Sequence, residues 1–125
     1  MIQSAKQSQG TTAYFAGFAA EDIVARTYMD KGHSTLAKRW RGVAGEIDLI
    51  AQDGDGVIII EVKKSRTHSR AATRVTTKQL TRIYGATAEF LETQPKGQLT
   101  PVRVDVALVD DIGRVDVIEN VSIAA

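Results

Sequence analysis

Three stretches of the chain announce strands by how apolar and polar residues follow one another. Glu46-Ile47-Asp48-Leu49-Ile50-Ala51 begins as strict alternation, the pattern of a strand with two different faces. Val57-Ile58-Ile59-Ile60-Glu61-Val62-Lys63 opens on four β-branched residues, the composition of a strand covered on both sides. Val102-Arg103-Val104-Asp105-Val106-Ala107-Leu108 alternates again. Asp53-Gly54-Asp55-Gly56 between the first two is a hairpin signal. A short strand over residues 35–40 precedes them, ended by Gly42 and Gly45, and a last strand over residues 114–118 follows the turn at Asp110-Asp111-Ile112-Gly113.

Helical spacing predicts two helices. The first covers residues 12–31, with Phe15, Phe18, Ala19, Val24, Ala25 and Tyr28 near one face, Thr11 or Thr12 as N-cap and Gly32 as stop. The second covers residues 73–92, with Leu80, Ile83, Tyr84, Thr87 and Leu91 on one face, and ends at Gln94-Pro95-Lys96-Gly97. The polar residues 65–72 read as a loop. The order α-β-β-β-α-β-β predicts an α/β domain over residues 13–125, one mixed sheet flanked by helices, preceded by a disordered tail over residues 1–12. With 125 residues there is room for one domain.

Composition narrows the chemistry. The chain has no cysteine and two histidines, which excludes disulfide frameworks, Cys-ligated metals and thiol catalysis. No stretch reaches the ~18 apolar residues of a membrane span, and the N-terminus lacks the apolar core of a secretory signal, so a cytoplasmic protein is expected. Carboxylates, lysines, arginines and hydroxyls remain.

Folding the hairpin about Gly54-Asp55 makes paired residues sum to ~109, which sets Asp48 opposite Glu61 and Glu46 opposite Lys63 on a common face. Opposed carboxylates repel unless a proton or a divalent cation is shared, and oxygen ligands without His or Cys select Mg²⁺ or Mn²⁺. Lys63 would then stabilise developing charge, and Glu21 would add a carboxylate if the first helix packs over this face. The plain alternative is a cross-strand ion pair worth about 0.2–1 kcal/mol. Against it stands the cost of ending a buried strand on a charged pair without need.

The net charge of +1 conceals an asymmetry. From Glu61 to Arg82 the chain carries Lys63, Lys64, Arg66, Arg70, Arg74, Lys78 and Arg82 against a single acid. Arg74, Lys78 and Arg82 recur every fourth residue and predict one basic ridge on the second helix, suited to a phosphate backbone. Arg39, Trp40 and Arg41 form a second basic-aromatic cluster, in which Trp40 could stack on a base but is rather expected in the core at the sheet edge. Arg103 and Asp105 are expected as a structural pair, and His33 and His68 at the surface.

Gly45-Glu46-Ile47-Asp48-Leu49-Ile50, the hairpin turn and Glu61-Val62-Lys63 together resemble the active-site signature of the PD-(D/E)XK nuclease superfamily. With Gly17-Phe18-Ala19-Ala20-Glu21, Trp40-Arg41-Gly42, Lys78 and Arg103-Val104-Asp105-Val106, the chain more closely resembles the bacterial YraN family of predicted endonucleases, which is related to archaeal Holliday-junction resolvases. The resemblance implies a restriction-endonuclease-like fold, with Asp48 and Glu61 as metal-binding carboxylates and the Val62 carbonyl as a further ligand. Lys63 would be the catalytic lysine, Glu21 the first-helix acid, and Glu46 a motif residue that tunes Lys63. The basic residue expected soon after the EVK triplet appears as Lys64 and, one place late, Arg66. The implied activity is metal-dependent hydrolysis of DNA phosphodiester bonds, of branched or structured DNA, with Lys64, Arg66, Arg70, Arg74, Lys78 and Arg82 on the DNA and a homodimer as the assembly. The alternative is a non-catalytic nucleic-acid-binding module that retains the fold.

Overall fold

The computed structural model describes residues 9–72 and 75–121. Five strands form one sheet in the order β1-β2-β3-β4-β5, with β1 Thr35–Arg41, β2 Glu46–Asp53, β3 Gly56–Lys64, β4 Val102–Val109 and β5 Val115–Ile118. Only β3 and β4 run parallel; the other neighbours are antiparallel. Helices cover both faces, so the α/β architecture and the element order match the expectation.

Each face has its own core. On one, Ala20, Val24, Ala25 and Tyr28 of α1 (Gln9–Asp30) pack on Leu49, Ala51, Ile58, Ile60, Ala107 and Val109. On the other, Ile83, Ala86, Phe90 and Leu91 of α3 (Thr77–Leu91) pack on Ile47, Ile50, Val57, Ile59 and Val104. Residues 56–61 of β3 are buried, because the strand sits mid-sheet and is covered from both sides. Edge strand β1 alternates exposure except at Lys38 and Arg39, both exposed, and with Arg41 these charges discourage pairing with another chain. Trp40 packs edge-on to Phe90, centroids 5.4 Å apart, as the core anchor it was expected to be.

Three boundaries depart from the prediction. Helix α1 starts at Gln9, so Thr11 and Thr12 lie inside it and part of the predicted tail is helical. Residues 1–8 lie outside the described residues. Its stop is as predicted: Gly32, at φ 92°, donates to Met29 O while His33 N donates to Tyr28 O, a Schellman closure. The predicted loop 65–72 contains a short helix, α2 (His68–Ala72), whose Ala71 is buried against Val106 and Leu108. One apolar residue in a polar stretch leaves no period to read. The predicted helix 73–92 begins later, at Thr77, because Thr76 and Gln79 form a reciprocal capping box.

The C-terminal segment crosses the sheet end. Asn120, at φ 53°, donates its N–H to Asp105 Oδ1 at 2.9 Å, and Val121 N donates to Val104 O at 2.7 Å. Asp105, fully buried, also accepts from Tyr28 Oη of α1 at 2.7 Å and from both Arg103 Nε and Nη2. This is the structural pair foreseen for Arg103 and Asp105, enlarged by a tyrosine. On the opposite face, Tyr84 Oη of α3 donates to the Val121 carbonyl.

Candidate active site

The β2–β3 hairpin turns at Gly54-Asp55 with Asp53 paired to Gly56, and each pair sums as predicted through Leu49–Ile60. Beyond that pair the ladder stops. The Val62 N–H donates instead to Asp48 Oδ2 at 2.9 Å, so a side-chain carboxylate takes the place of a backbone acceptor.

A loss of alternation explains how Asp48 reaches that position. Ile47 and Ile50 both pack under α3 although three residues apart, and Trp40 and Ala37 of β1 do the same. A strand alternates faces at every residue, so each strand skips one alternation between its two members. The skip falls at Arg39, whose φ is 53°, and at Asp48 across from it, between the pairs Lys38–Leu49 and Trp40–Ile47.

Asp48, Glu61, Val62, Lys63 and Lys64 line an open depression of roughly 310 Å³, closed on the α1 side by Ala20 and Glu21. Lys63 Nζ lies 2.9 Å from Glu61 Oε2, and both side chains are mostly buried. Burial pushes the Asp48 carboxyl up to about 7, and the neighbouring Glu61 carboxylate reinforces the shift. The Val62 N–H and Lys63 oppose it. Glu21 is also raised, first by burial and then by Asp48, and Arg39 opposes that shift. The Arg39 Nε donates to Glu21 Oε1 at 3.0 Å.

One predicted pairing is corrected. Glu46 does not face Lys63: it accepts from Arg41 Nη2 at 2.9 Å, because β1–β2 pairing sets Arg41 beside it where the β2–β3 ladder has already ended. It remains close enough to Glu21 to raise that group's pKa slightly. Sequence reasoning also missed Arg39 as the partner of Glu21.

The basic residues gather at the same end of the sheet. Lys64 lines the depression, and Arg66, Arg70, Lys78 and Arg82 are exposed. Of the predicted ridge, Lys78 and Arg82 lie on α3, and Arg74 lies outside the described residues. Arg82 borders the loop that leads into Glu46, beside Gly45. Glu89 of α3 holds that loop by accepting from Val43 N at 2.7 Å and Ala44 N at 2.9 Å. His68 stays near the surface, its Nε2 2.9 Å from Arg114 O.

Among the described residues, no group of three or more His, Cys, Asp or Glu side chains is gathered closely enough to hold a metal ion. The donors present are the Asp48 and Glu61 carboxylates, the nearby Val62 backbone and, behind Arg39, Glu21. That set suits Mg²⁺ or Mn²⁺, which typically take one or two carboxylates and keep several waters, and does not suit zinc. Two acids pressed together in a partly buried site are also a place where a divalent cation would offset their repulsion.

Comparison with known proteins places the chain in a family. The model of a family described as Uncharacterised protein family UPF0102 matches residues 20–119, from the start of the depression's α1 wall to the end of the sheet. The chain belongs to the UPF0102 (YraN) family. It is 58% identical to a UPF0102 protein of Cereibacter sphaeroides over 111 residues, 89% of this chain and 95% of the relative. It is 51% identical to one from Ruegeria pomeroyi, covering 90% and 92% of the two chains. A UPF0102 protein of Dinoroseobacter shibae is 42% identical, with 97% and 90% covered. For this UPF0102 chain, no helix among the described residues is long and apolar enough to cross a membrane.

Proposed function

We propose that this UPF0102 chain is a metal-dependent endonuclease that hydrolyses DNA phosphodiester bonds. The observation that carries the reading is the Asp48–Glu61 pair, two neighbouring, mostly buried acids lining one open depression, with Lys63 2.9 Å from one of them. A fold stabilised for its own sake has no use for acids pressed together where one must keep a proton. Asp48, Glu61 and the Val62 carbonyl would hold Mg²⁺ or Mn²⁺. The ion would supply charge neutralisation at phosphate and an activated water.

The protein's own groups have definite parts in this reading. The Val62 N–H holds one Asp48 oxygen and so orients the other. Lys63 sits where its ammonium can stabilise negative charge on a phosphate oxygen or orient the attacking water, and Glu61 fixes its position. Lys64, Arg66, Arg70, Lys78 and Arg82 lie at the same end, where a phosphate backbone would run; such contacts position DNA without reading its sequence. Branched or structured DNA is the favoured substrate and a homodimer the favoured assembly, as the resemblance to junction resolvases suggests.

The test is a cleavage panel of single strand, duplex, flap and four-way junction with Mg²⁺ or Mn²⁺. Wild type should cut at least one substrate, and Asp48→Ala and Lys63→Ala should each abolish cutting while circular dichroism stays unchanged. Cutting that survives in both variants removes the assignment. Salt-sensitive binding without products would mark a non-catalytic binding module instead.

A further inference from the structure

Arg39 adopts a backbone conformation that suits glycine or asparagine far better than arginine. Its φ of 53° lies in the left-handed region, yet it is mid-strand, with Lys38 and Trp40 on either side paired to Leu49 and Ile47. The residue across from it is Asp48, and this is the level at which both strands lose an alternation. The strained position and the key carboxylate are therefore parts of one local distortion. From there the guanidinium reaches α1, where Nε lies 3.0 Å from Glu21 Oε1. Glu21 lines the depression with a side chain 14% exposed, while that of Arg39 is 41% exposed. Asp48 and Glu46 both press negative charge on Glu21, and Arg39 opposes them. Strain kept at a site points to what the side chain does there.

We propose that Arg39 is a positioning residue: it holds the Glu21 carboxylate against the α1 wall of the depression, facing Asp48 and Glu61, as an outer oxygen donor for a divalent cation or its water. The inference rests on the nuclease reading and assigns Glu21 its place within that site. A basic residue that merely contacted DNA would need neither the left-handed backbone nor a carboxylate partner inside the depression. A merely structural ion pair would not need to stand level with Asp48.

The backbone geometry supplies a selective test. Arg39→Gly and Arg39→Asn remove the guanidinium while accepting the local φ, so both should fold, with melting temperatures in chelator near or above wild type. Calorimetric titration with Mn²⁺ should show affinity weakened about 10-fold in both, and equally in Glu21→Gln, the range for removing a group that orients a metal ligand. The double variant Arg39→Gly with Glu21→Gln should be no weaker than either single, and Arg39→Lys should recover part of the loss. On the DNA substrate cut by wild type, kcat should fall by a similar factor with KM unchanged.

Mn²⁺ affinity and kcat at wild-type levels in Arg39→Gly overturn the proposal. So do additive losses in the double variant, or an effect confined to a salt-dependent KM. A collapse of thermal stability in both the Gly and Asn variants makes the role structural and overturns it as well. Wild type that binds Mn²⁺ but cuts nothing removes the nuclease reading alone, and Arg39 is then judged on Mn²⁺ affinity. Wild type that binds no Mn²⁺ removes both.

Discussion

Replacing Asp48 by Asn should stabilise the metal-free protein at alkaline pH. The carboxyl is raised from an ordinary 3.8 to about 7, chiefly by burial. A group whose folded pKa lies above its unfolded one supports the fold fully below the unfolded value, and that support is lost as pH rises through the folded value. The window here runs from about pH 4 to pH 7. The rise from 3.8 to about 7 corresponds to about 4 kcal/mol at about 1.36 kcal/mol per pKa unit, an upper figure because the Asp48 side chain is only partly buried. Asn cannot ionise, yet its Oδ1 can still accept from Val62 N and its amide can donate to Glu61. In chelator, the advantage of Asp48→Asn should therefore grow from under about 1 kcal/mol near pH 4 to as much as about 4 kcal/mol at pH 8. Urea titrations of both proteins across that range measure it directly, provided their m-values agree. Adding Mn²⁺ at pH 8 should stabilise wild type and leave the variant unmoved. A variant equal to or weaker than wild type at pH 8, with no divergence across the range, would refute the claim that an uncompensated carboxylate sits there.

Other substitutions probe the surroundings. Lys78→Ala with Arg82→Ala should weaken DNA binding uniformly across sequences and reduce the salt slope by about 2, read from affinities at several salt concentrations. Tyr28→Phe strips a hydroxyl from the buried Asp105 and should cost about 1–3 kcal/mol in denaturant unfolding. At Gly85, a Cβ would meet the Ala44 Cβ at 2.9 Å, so Gly85→Val should displace the loop that feeds β2 and destabilise by about 1–3 kcal/mol. Cleavage should fall with it, because that loop leads directly into Glu46 and Asp48.

The hairpin was legible because two independent signals agreed. The Asp-Gly turn sets the loop length, and the opposed strands then follow one arithmetic from Asp53–Gly56 through Leu49–Ile60. Asp48 and Glu61 lie one step past that ladder and meet in the depression through the local loss of alternation. Trp40 and the Arg103–Asp105 pair were also readable, since an aromatic at a strand end and a charged pair in alternation have few other uses. What escaped depended on third elements. Hairpin arithmetic sets Glu46 against Lys63 because it sees one neighbouring strand, whereas Arg41 on β1 claims it. The apolar periodicity of the second helix extends past the Thr76–Gln79 capping box that begins it, so the pattern alone places its start too early. Arg39 gave no local sign, because a left-handed residue inside a strand is invisible to propensity unless it is Gly or Asn. Its partner Glu21 is 18 residues distant along the chain.

The C-terminal crossing makes Asn120 and Val121 a clasp between the two helical layers. Tyr28 reaches the dipeptide from one side through Asp105, and Tyr84 takes hold of it directly from the other. Neither helix can come away from its face without tugging on the same two residues. The separate cores should therefore melt together, with amides of α1 and α3 exchanging through one shared opening. An enzyme of this reading would then lose its Glu21 wall and its basic helix at the same moment, and would not persist as a half-folded sheet that binds DNA without cutting it.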